Sequence, residues 1–430
     1  MSIALFFVIF AVLLIIGTPI CIVFSTMTIT PWLLDHSFAY NLNSAVTSQL
    51  SGLDSFPLMA IPLFMLAGVI MAKGGISEKI FNFFSYFVGN KTAGIPCTVV
   101  VTCLFYGAIS GSGPATTAAV GSMCIPFLTS VGYDVVFAAA LVAVAGGLGV
   151  IIPPSIPFIV YSSVAGTSVS AMFIAGVLPG FLIALCLCAY CFVYCKINGE
   201  DKEKLNKKYT EIRARGFLPL LKDSIWALIT PVIILGSIYG GIASPTEAAT
   251  ISIFYALFIS LAIYRTLRLR DLPGVVLEGV RTYAPILFVI AAAVAFARVI
   301  TRLNVAAAVS NLVLDHLSSK VSVLIIFNVI LLIVGMLMDT APAILVFGPV
   351  MLPVVKALGV DLVHFGIIMV VNLAIGFVTP PMGVNLFVAS NLTKLPVMSI
   401  AKKAVPFIIA FIIALMLITF IPAISLALVY

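Results

Sequence analysis

The 430-residue chain is 63% hydrophobic and only 9% charged, with a mean hydropathy of +1.27. Soluble domains carry roughly 25% charged residues, so the composition excludes a soluble domain and predicts a protein of the lipid bilayer. The net charge of +7 does not indicate a nucleic-acid partner. Its Lys and Arg residues fall in short polar stretches between apolar segments, where such residues set membrane orientation.

Apolar segments of about 20 residues, long enough to cross a bilayer, recur along the chain. The first lacks the basic region of a cleaved leader and is predicted to be the first membrane helix. Residues 25–50 leave room for one more crossing. The predicted spans are 3–24, 55–73, 134–165, 171–195, 222–243, 246–264, 282–300, 361–392 and 402–428.

One long hydrophilic segment, 196–221, is rich in both signs of charge. It is predicted to be a cytoplasmic connector, a loop or surface helix, between an N-terminal half (1–195) and a C-terminal half (222–430). The cysteines just before it have no His or carboxylate among them, so we expect them to pack rather than to bind metal. They are Cys186, Cys188, Cys191 and Cys195.

The two halves contain an internal repeat, which a shift of 227 residues brings into register. Eight positions recur without a gap, which is improbable by chance. Under the same shift Ser112 falls on Asp339. The recurring pairs are Gly121/Gly348, Pro126/Pro353, Gly132/Gly359, Asp134/Asp361, Gly149/Gly376, Pro153/Pro380, Pro154/Pro381 and Ser163/Ser390.

Polar interruptions occur in the middle of two apolar segments, 95–130 and 321–357, at SGSG (110–113) and MDTA (338–341). Each segment has two arms of about 15 residues, or about 20 Å of helix, which would carry the tips near the middle of the hydrocarbon core. We therefore predict two re-entrant hairpins. Five predicted spans then separate equivalent points of the repeats. Because five is odd, the repeats are predicted to be inverted.

The positive charges agree with this topology. With the connector in the cytoplasm, eight Lys and Arg residues between other spans also lie inside, as the positive-inside rule requires. The first hairpin then opens to the cytoplasm and the second to the exterior, and helical arms at 75–89 and 304–319 lie along opposite faces. The residues concerned are Lys73, Lys79, Lys91, Arg265, Arg268, Arg270, Lys402 and Lys403.

Each half has a second interruption, at 147–155 and 375–381, inside a predicted broken helix at 134–165 or 361–392. Non-helical backbone at membrane depth is tolerated only where protein buries it or where it lines a cavity. Interruptions at corresponding positions of inverted repeats are typical of secondary transporters, where freed carbonyls hold cations and half-helix N-termini face anions.

Sodium takes about five or six hard oxygen ligands, which a hairpin tip and a helix break can supply together. We predict two sodium sites. Two alternatives stay open. The Gly and Ser residues can simply allow close packing of helices, and the Asp339 carboxylate can be solvated by water at the hairpin tip. The first site comprises Ser110, Ser112, Gly149 and Ile152, and the second Asp339, Thr340, Gly376 and Thr379.

Substrate contacts are predicted at Ser110, Ser155 and Asp339. Ser155 restarts a helix after two prolines, where its hydroxyl can cap the helix or, with exposed N–H groups, meet a carboxylate. Glu247 belongs to a capping box that starts a helix. Arg298 can snorkel to the membrane surface or attract an anion.

Several segments resemble the large membrane subunit of the tripartite ATP-independent periplasmic (TRAP) transporters, and they spread over nearly the whole chain. The resemblance implies an all-α polytopic membrane protein with an elevator-type ion-transporter fold in a bacterial inner membrane. Both predicted tips and both breaks match the family's hairpin tips and helix breaks. The segments are 51–71, 107–128, 149–161, 244–249 and 338–381.

The same resemblance implies sodium-coupled import of a carboxylate, which is a C4-dicarboxylate, sialic acid or another sugar acid. It also implies two partners, a small four-helix membrane subunit and a periplasmic substrate-binding protein. The chain resembles the form in which the small subunit is a separate protein.

Three other functions are compatible with parts of the sequence. The closest is a self-sufficient sodium/dicarboxylate carrier, which needs no binding protein. An intramembrane enzyme is disfavoured because His36, His316 and His364 are not paired with an acid or cysteine at metal or triad spacing. A channel would not require hairpins that enter from opposite faces.

Overall fold

A computed structural model describes residues 3–214, 216–316 and 319–430. The regular secondary structure of these residues is helical. Within them, eight helices are long and apolar enough to cross a membrane. The chain is therefore a multi-pass membrane protein, as its composition predicts.

The N-terminal region differs from the sequence prediction at its first span. Residues 3–24 contain the whole of one helix and the start of another, because Gly17 adopts the left-handed conformation (φ 81°) and Pro19 precedes the next helix. Two helices, α2 and α3, share residues 25–50, where the sequence leaves room for one more crossing. The elements are α1 (Ile3–Ile15), α2 (Ile20–Leu34), α3 (Leu42–Leu53), α4 (Ala60–Lys73, after a 3₁₀ turn at Phe56–Met59) and α5 (Ile76–Val88).

The first repeat is interrupted at both predicted positions. Gly111 is left-handed (φ 63°) and Ser112 is extended, so the chain turns between two helices. Pro114 lies in the first turn of the second helix, where proline costs no hydrogen bond. The repeat comprises α6 (Gly94–Ser110), α7 (Gly113–Ser130), α8 (Val135–Gly146), α9 (Ile156–Ala165) and α10 (Val169–Asn198).

The central region joins the repeats. The capping box predicted at Glu247 is present, with Ser244 as its partner. Arg298 donates hydrogen bonds to Ser48 (2.7 Å) and Ser51 (3.3 Å) of α3. The helices are α11 (Lys202–Ala214), α12 (Phe217–Tyr239), α13 (Pro245–Phe258), α14 (Leu272–Arg302) and α15 (Val305–His316).

The second repeat has the same order of helices and interruptions. Met338 and Asp339 are extended and separate the first two helices. The arms of both hairpins are 17 or 18 residues long, which is more than predicted, and re-entrance into the bilayer stays a prediction. The helices are α16 (Lys320–Leu337), α17 (Thr340–Ala357), α18 (Leu362–Gly376), α19 (Val384–Thr393), α20 (Val397–Phe420) and α21 (Ala423–Leu426).

Each hairpin is closed at its base by a polar contact. In the first, Glu200 accepts hydrogen bonds from the backbone N–H of Ala93 (3.0 Å) and from the hydroxyl of Tyr133. In the second, the Lys320 ammonium donates to the carbonyl of Gly359 (3.5 Å). In each hairpin the end of the second helix therefore lies close to the start of the first.

The two bases lie at opposite ends of α10, which has 30 residues and is about 45 Å long at 1.5 Å per residue. Glu200 follows the C-terminal end of α10. Near its N-terminal end, Met172 packs against Gly366 of α18, which starts just after the second base. The repeats are thus inverted relative to each other.

The two broken helices meet in the middle of the molecule. A Cβ built on Gly147, at the end of α8, would lie 3.6 Å from the carbonyl oxygen of Ala374 in α18. Asn385 of α19 donates a hydrogen bond to the Ala143 carbonyl of α8 (2.9 Å). The interruptions of both halves therefore surround one central region.

Candidate functional site

A cavity of about 720 Å³ lies beside this central region. Its inner wall is formed by residues of both hairpin tips and of the first break. Its opposite wall is formed by α4 and α14. The cavity therefore lies between the interrupted helices on one side and α4 and α14 on the other.

The first turns of three helices line the inner wall. They belong to α7 at Ser112 and Pro114, to α9 at Ile156, and to α17 at Thr340 and Ala341. The N-terminus of a helix carries unpaired N–H groups and the positive end of the helix dipole. Three such termini around one space favour an anionic ligand.

The mouth of the cavity is lined by charged residues of three helices: Lys73 of α4, Glu78 of α5 and Glu278 of α14. The mouth lies at the end of the molecule that holds the connector. Next to Glu78, Lys79 forms an ion pair of 2.6 Å with Asp223, which follows the connector closely in sequence.

At the first tip the structure brings three of the predicted sodium ligands together. The Ser110 hydroxyl lies 3.4 Å from the Ser112 carbonyl oxygen, and a Cβ built on Gly149 would lie 2.7 Å from that oxygen. A third oxygen, missed from the sequence, belongs to Thr116, whose hydroxyl is 2.9 Å from that of Ser110. The only signal for Thr116 was its place one helical turn after Ser112.

The side chains of two predicted residues of the first break contact other parts of the protein. The side chain of Ile152 packs against Gly180 of α10 rather than against the tip. Ser155 is fully buried and caps α9: its hydroxyl donates to the Val150 carbonyl (2.5 Å) and accepts from the Phe158 N–H (3.4 Å). Ser155 thus takes the capping role, while its neighbour Ile156 lines the cavity.

At the second tip Asp339 and Thr340 both line the cavity. The Asp339 carboxylate accepts hydrogen bonds from the Thr340 N–H (2.6 Å) and hydroxyl (3.3 Å), so it caps α17. The other two predicted ligands, Gly376 and Thr379, contact residues other than Asp339 and Thr340. Gly376 packs on the backbone of Gly335, and the Thr379 hydroxyl donates to the Ile375 carbonyl (2.8 Å).

The second break contributes two residues that the sequence did not single out. Phe377 lines the cavity, and its ring would lie 3.0 Å from a Cβ built on Gly113 at the first tip. Asn385 is fully buried, and its side-chain oxygen has no hydrogen-bond partner within the described ranges. The first tip and the second break are therefore in direct contact.

The available donors limit what cation the region can hold. Across residues 3–214, 216–316 and 319–430, no group of three His, Cys, Asp or Glu side chains could bind a metal ion. The oxygens at the tips are hydroxyl, carbonyl and one carboxylate group. Such hard ligands suit an alkali or alkaline-earth cation rather than a transition metal.

Comparison with known proteins gives a consistent result. A family described as "Tripartite ATP-independent periplasmic transporter, DctM component" matches residues 7–424. The chain is 38% identical over 375 residues to the C4-dicarboxylate TRAP transporter large permease protein DctM of Pseudomonas aeruginosa, with 87% of this chain and 86% of the relative covered. It is 35% identical over 384 residues to the 2,3-diketo-L-gulonate TRAP transporter large permease protein YiaN of Escherichia coli, with 89% of each covered.

A further relative is longer. The isethionate TRAP transporter permease protein DctMQ of Oleidesulfovibrio alaskensis is 40% identical over 415 residues, which cover 96% of this chain and 64% of the relative. The chain therefore spans less than two thirds of that relative's length.

Two solved structures share the fold. MtrF of Neisseria gonorrhoeae superposes with a TM-score of 0.65 at 13% identity, and the superposition covers 93% of this chain and 93% of MtrF. The YdaH transporter of Alcanivorax borkumensis superposes with a TM-score of 0.61 at 13% identity, and the superposition covers 96% of this chain and 98% of YdaH. These likenesses confirm the all-α polytopic transporter fold, and at this identity they concern the fold alone.

Proposed function

Because the chain belongs to the DctM family of TRAP transporter large permeases, we propose that it imports a small carboxylate by sodium-coupled secondary active transport. The family is a family of permeases and not of enzymes, and its members are multi-pass inner-membrane proteins. We propose a periplasmic binding protein and a small four-helix membrane subunit as its partners.

The convergence of three helix N-termini on one cavity is the observation that carries this proposal. The positive ends of the three helix dipoles attract a carboxylate. The N–H groups of Ile156, Phe158 and Thr340 already donate to protein acceptors, so this attraction comes from the dipoles rather than from those N–H groups. The relatives named for C4-dicarboxylates and 2,3-diketo-L-gulonate are permeases for acids of this kind. A carboxylate is therefore the substrate class that the cavity and the relatives jointly support.

Sodium coupling rests on the oxygens at the tips. The cluster of Ser110, Ser112, Gly149 and Thr116 supports a cation site behind the first tip. A cation there, and a second one near Asp339, would offset the charge of an incoming acid. Binding of the acid would then depend on binding of sodium first.

We propose an elevator movement in which the two tips and breaks travel as a block along α4 and α14. The contact surface supports sliding, because Gly68 of α4 lies against Ser110 with a hypothetical Cβ 3.2 Å from the Ser110 Cα. With the connector in the cytoplasm, the cavity described here opens inward, and the block stands in its release position.

The test is transport by the chain and its small membrane subunit in proteoliposomes, with the cognate binding protein added outside. Labelled succinate, 2,3-diketo-L-gulonate, sialic acid and isethionate are offered with and without an inward sodium gradient. We expect one acid to accumulate only with sodium and binding protein together. Sodium-driven uptake without the binding protein would instead favour the self-sufficient carrier. Uptake of none of these acids, or of isethionate alone, which is a sulfonate, would contradict the carboxylate proposal.

A further inference from the structure

Lys73 and Glu278 form an ion pair across the mouth of the cavity. The Lys73 ammonium lies 3.0 Å from the Glu278 carboxylate, and each side chain is about half exposed (49% and 51%). Lys73 ends α4 and Glu278 lies in the second turn of α14, so the pair joins the two helices of the wall that faces the hairpin tips. Both residues line the cavity.

Lys73 is the only cationic side chain among the described residues that line this cavity, beside the three carboxylates of Glu78, Glu278 and Asp339. An acid that passes between the tips and the mouth therefore meets net negative charge. Lys73 is the one side chain of the lining that can attract it. A lysine is well suited to this, because its compact charge sits on a long, flexible stem.

We propose that Lys73 binds the carboxylate of the substrate at the mouth of the cavity, and that Glu278 holds Lys73 until the substrate displaces it. The proposal rests on the proposed function, since it needs an anionic substrate. An ion pair between half-exposed groups is weak because water screens it. The incoming carboxylate therefore replaces Glu278 at little cost.

A second ion pair nearby provides a matched control. Lys79 of α5 and Asp223 of α12 lie 2.6 Å apart and are less exposed (27% and 43%). Neither residue lines the cavity. Loss of this pair removes an ion pair of the same kind from the same end of the molecule without changing the charge at the mouth.

The experiment measures counterflow in proteoliposomes that contain the chain with its small membrane subunit, with the cognate binding protein added outside. The vesicles are loaded with unlabelled succinate at a series of concentrations, and entry of labelled succinate is followed in equal sodium on both sides. The variants are Lys73→Met, Lys73→Arg and Glu278→Gln, with Lys79→Met and Asp223→Asn as controls. The measured quantity is the succinate concentration that gives half-maximal counterflow.

We expect Lys73→Met to raise this concentration about three- to fivefold, the range of one exposed ion pair, and Lys73→Arg to stay near the wild-type value. Glu278→Gln should lower it, because Lys73 is then free for the acid. The controls should match the wild type. Opposite shifts at the two positions cannot arise from a merely structural pair, whose loss would change both variants in the same direction.

Two results would overturn the proposal while leaving the proposed function intact. One is a wild-type value in both Lys73→Met and Glu278→Gln, and the other is a shift of both in the same direction. If succinate gives no counterflow in the wild-type protein, 2,3-diketo-L-gulonate and sialic acid are used in its place. Absence of wild-type counterflow with all three acids would overturn the proposal together with the carboxylate assignment.

Discussion

Gly376 of α18 packs on the backbone of Gly335 in α16 so closely that a Cβ on Gly376 would overlap the Gly335 carbonyl group. The first repeat has a corresponding contact, in which a Cβ on Gly107 of α6 would lie 2.8 Å from the Cα of Gly149. In both halves the first arm of the hairpin therefore touches the break through bare backbone. Glycine is the residue that permits such an approach.

Gly376→Ala should destabilise the protein, because the added methyl group meets backbone atoms that cannot rotate away. Overpacking of this kind costs about 1–3 kcal/mol. The effect should appear as a lower melting temperature of the detergent-solubilised protein. Gly236→Ala is the control, since a Cβ at Gly236 of α12 has open space around it. Equal melting temperatures for the two variants would contradict the close contact.

Ser110→Ala and Thr116→Ala should each raise the sodium concentration for half-maximal uptake about five- to tenfold, the effect of one lost polar contact. Their hydroxyls are 2.9 Å apart beside the carbonyl of Ser112. Thr102→Ala is the control in the same helix, because the Thr102 hydroxyl bonds to the carbonyl of Thr98 (2.7 Å) one turn earlier. Unchanged sodium dependence in both tip variants would contradict the first cation site.

The sequence predicted the positions of the interruptions because glycine and proline act locally on the backbone. The turn at Gly111 and Ser112, for example, follows from residues within a few positions of it. The first span was wrong for the same kind of reason. Its hydropathy is continuous through Gly17 and Pro19, and hydropathy alone does not register a left-handed residue.

The composition of the site was harder to predict, because it depends on contacts between distant segments. Ser155 carries a hydroxyl that suits a cap or a ligand equally well, and only the position of the Val150 carbonyl decides for the cap. Lys73 was assigned to membrane orientation alone. Its partner Glu278 lies in another helix far along the chain, so no local pattern could pair them.

Asp339→Asn separates the charge of the second tip from its capping role. Asparagine caps helices about as well as aspartate, so α17 should keep its start and the melting temperature should change little. Sodium-dependent uptake should fall at least about tenfold, since a charge at this depth is expensive unless it is used. Asp361→Asn is the control, because Asp361 caps α18 through the N–H groups of Val363 and His364 and does not line the cavity. Wild-type uptake in Asp339→Asn would contradict a role of the Asp339 charge in transport.

The opposed hairpin bases predict opposite labelling of two engineered cysteines. In a background without the eight native cysteines, Ser130→Cys at the first base and Lys320→Cys at the second are treated with a membrane-impermeant maleimide. Both positions are exposed. With the connector in the cytoplasm, Ser130→Cys should react in inverted vesicles and Lys320→Cys in spheroplasts.

A third variant, Thr210→Cys, is exposed on α11 of the connector. It distinguishes the inversion of the repeats from the cytoplasmic location of the connector. It should react together with Ser130→Cys, because Glu200 fastens the first base next to the connector. If Ser130→Cys and Lys320→Cys react from the same side, the inversion across the membrane is wrong. If they react from opposite sides but Thr210→Cys reacts in spheroplasts, the repeats are inverted and only the cytoplasmic assignment of the connector fails. In that case the cavity of this structure would open outward, and Lys73 would receive the substrate at entry instead of release.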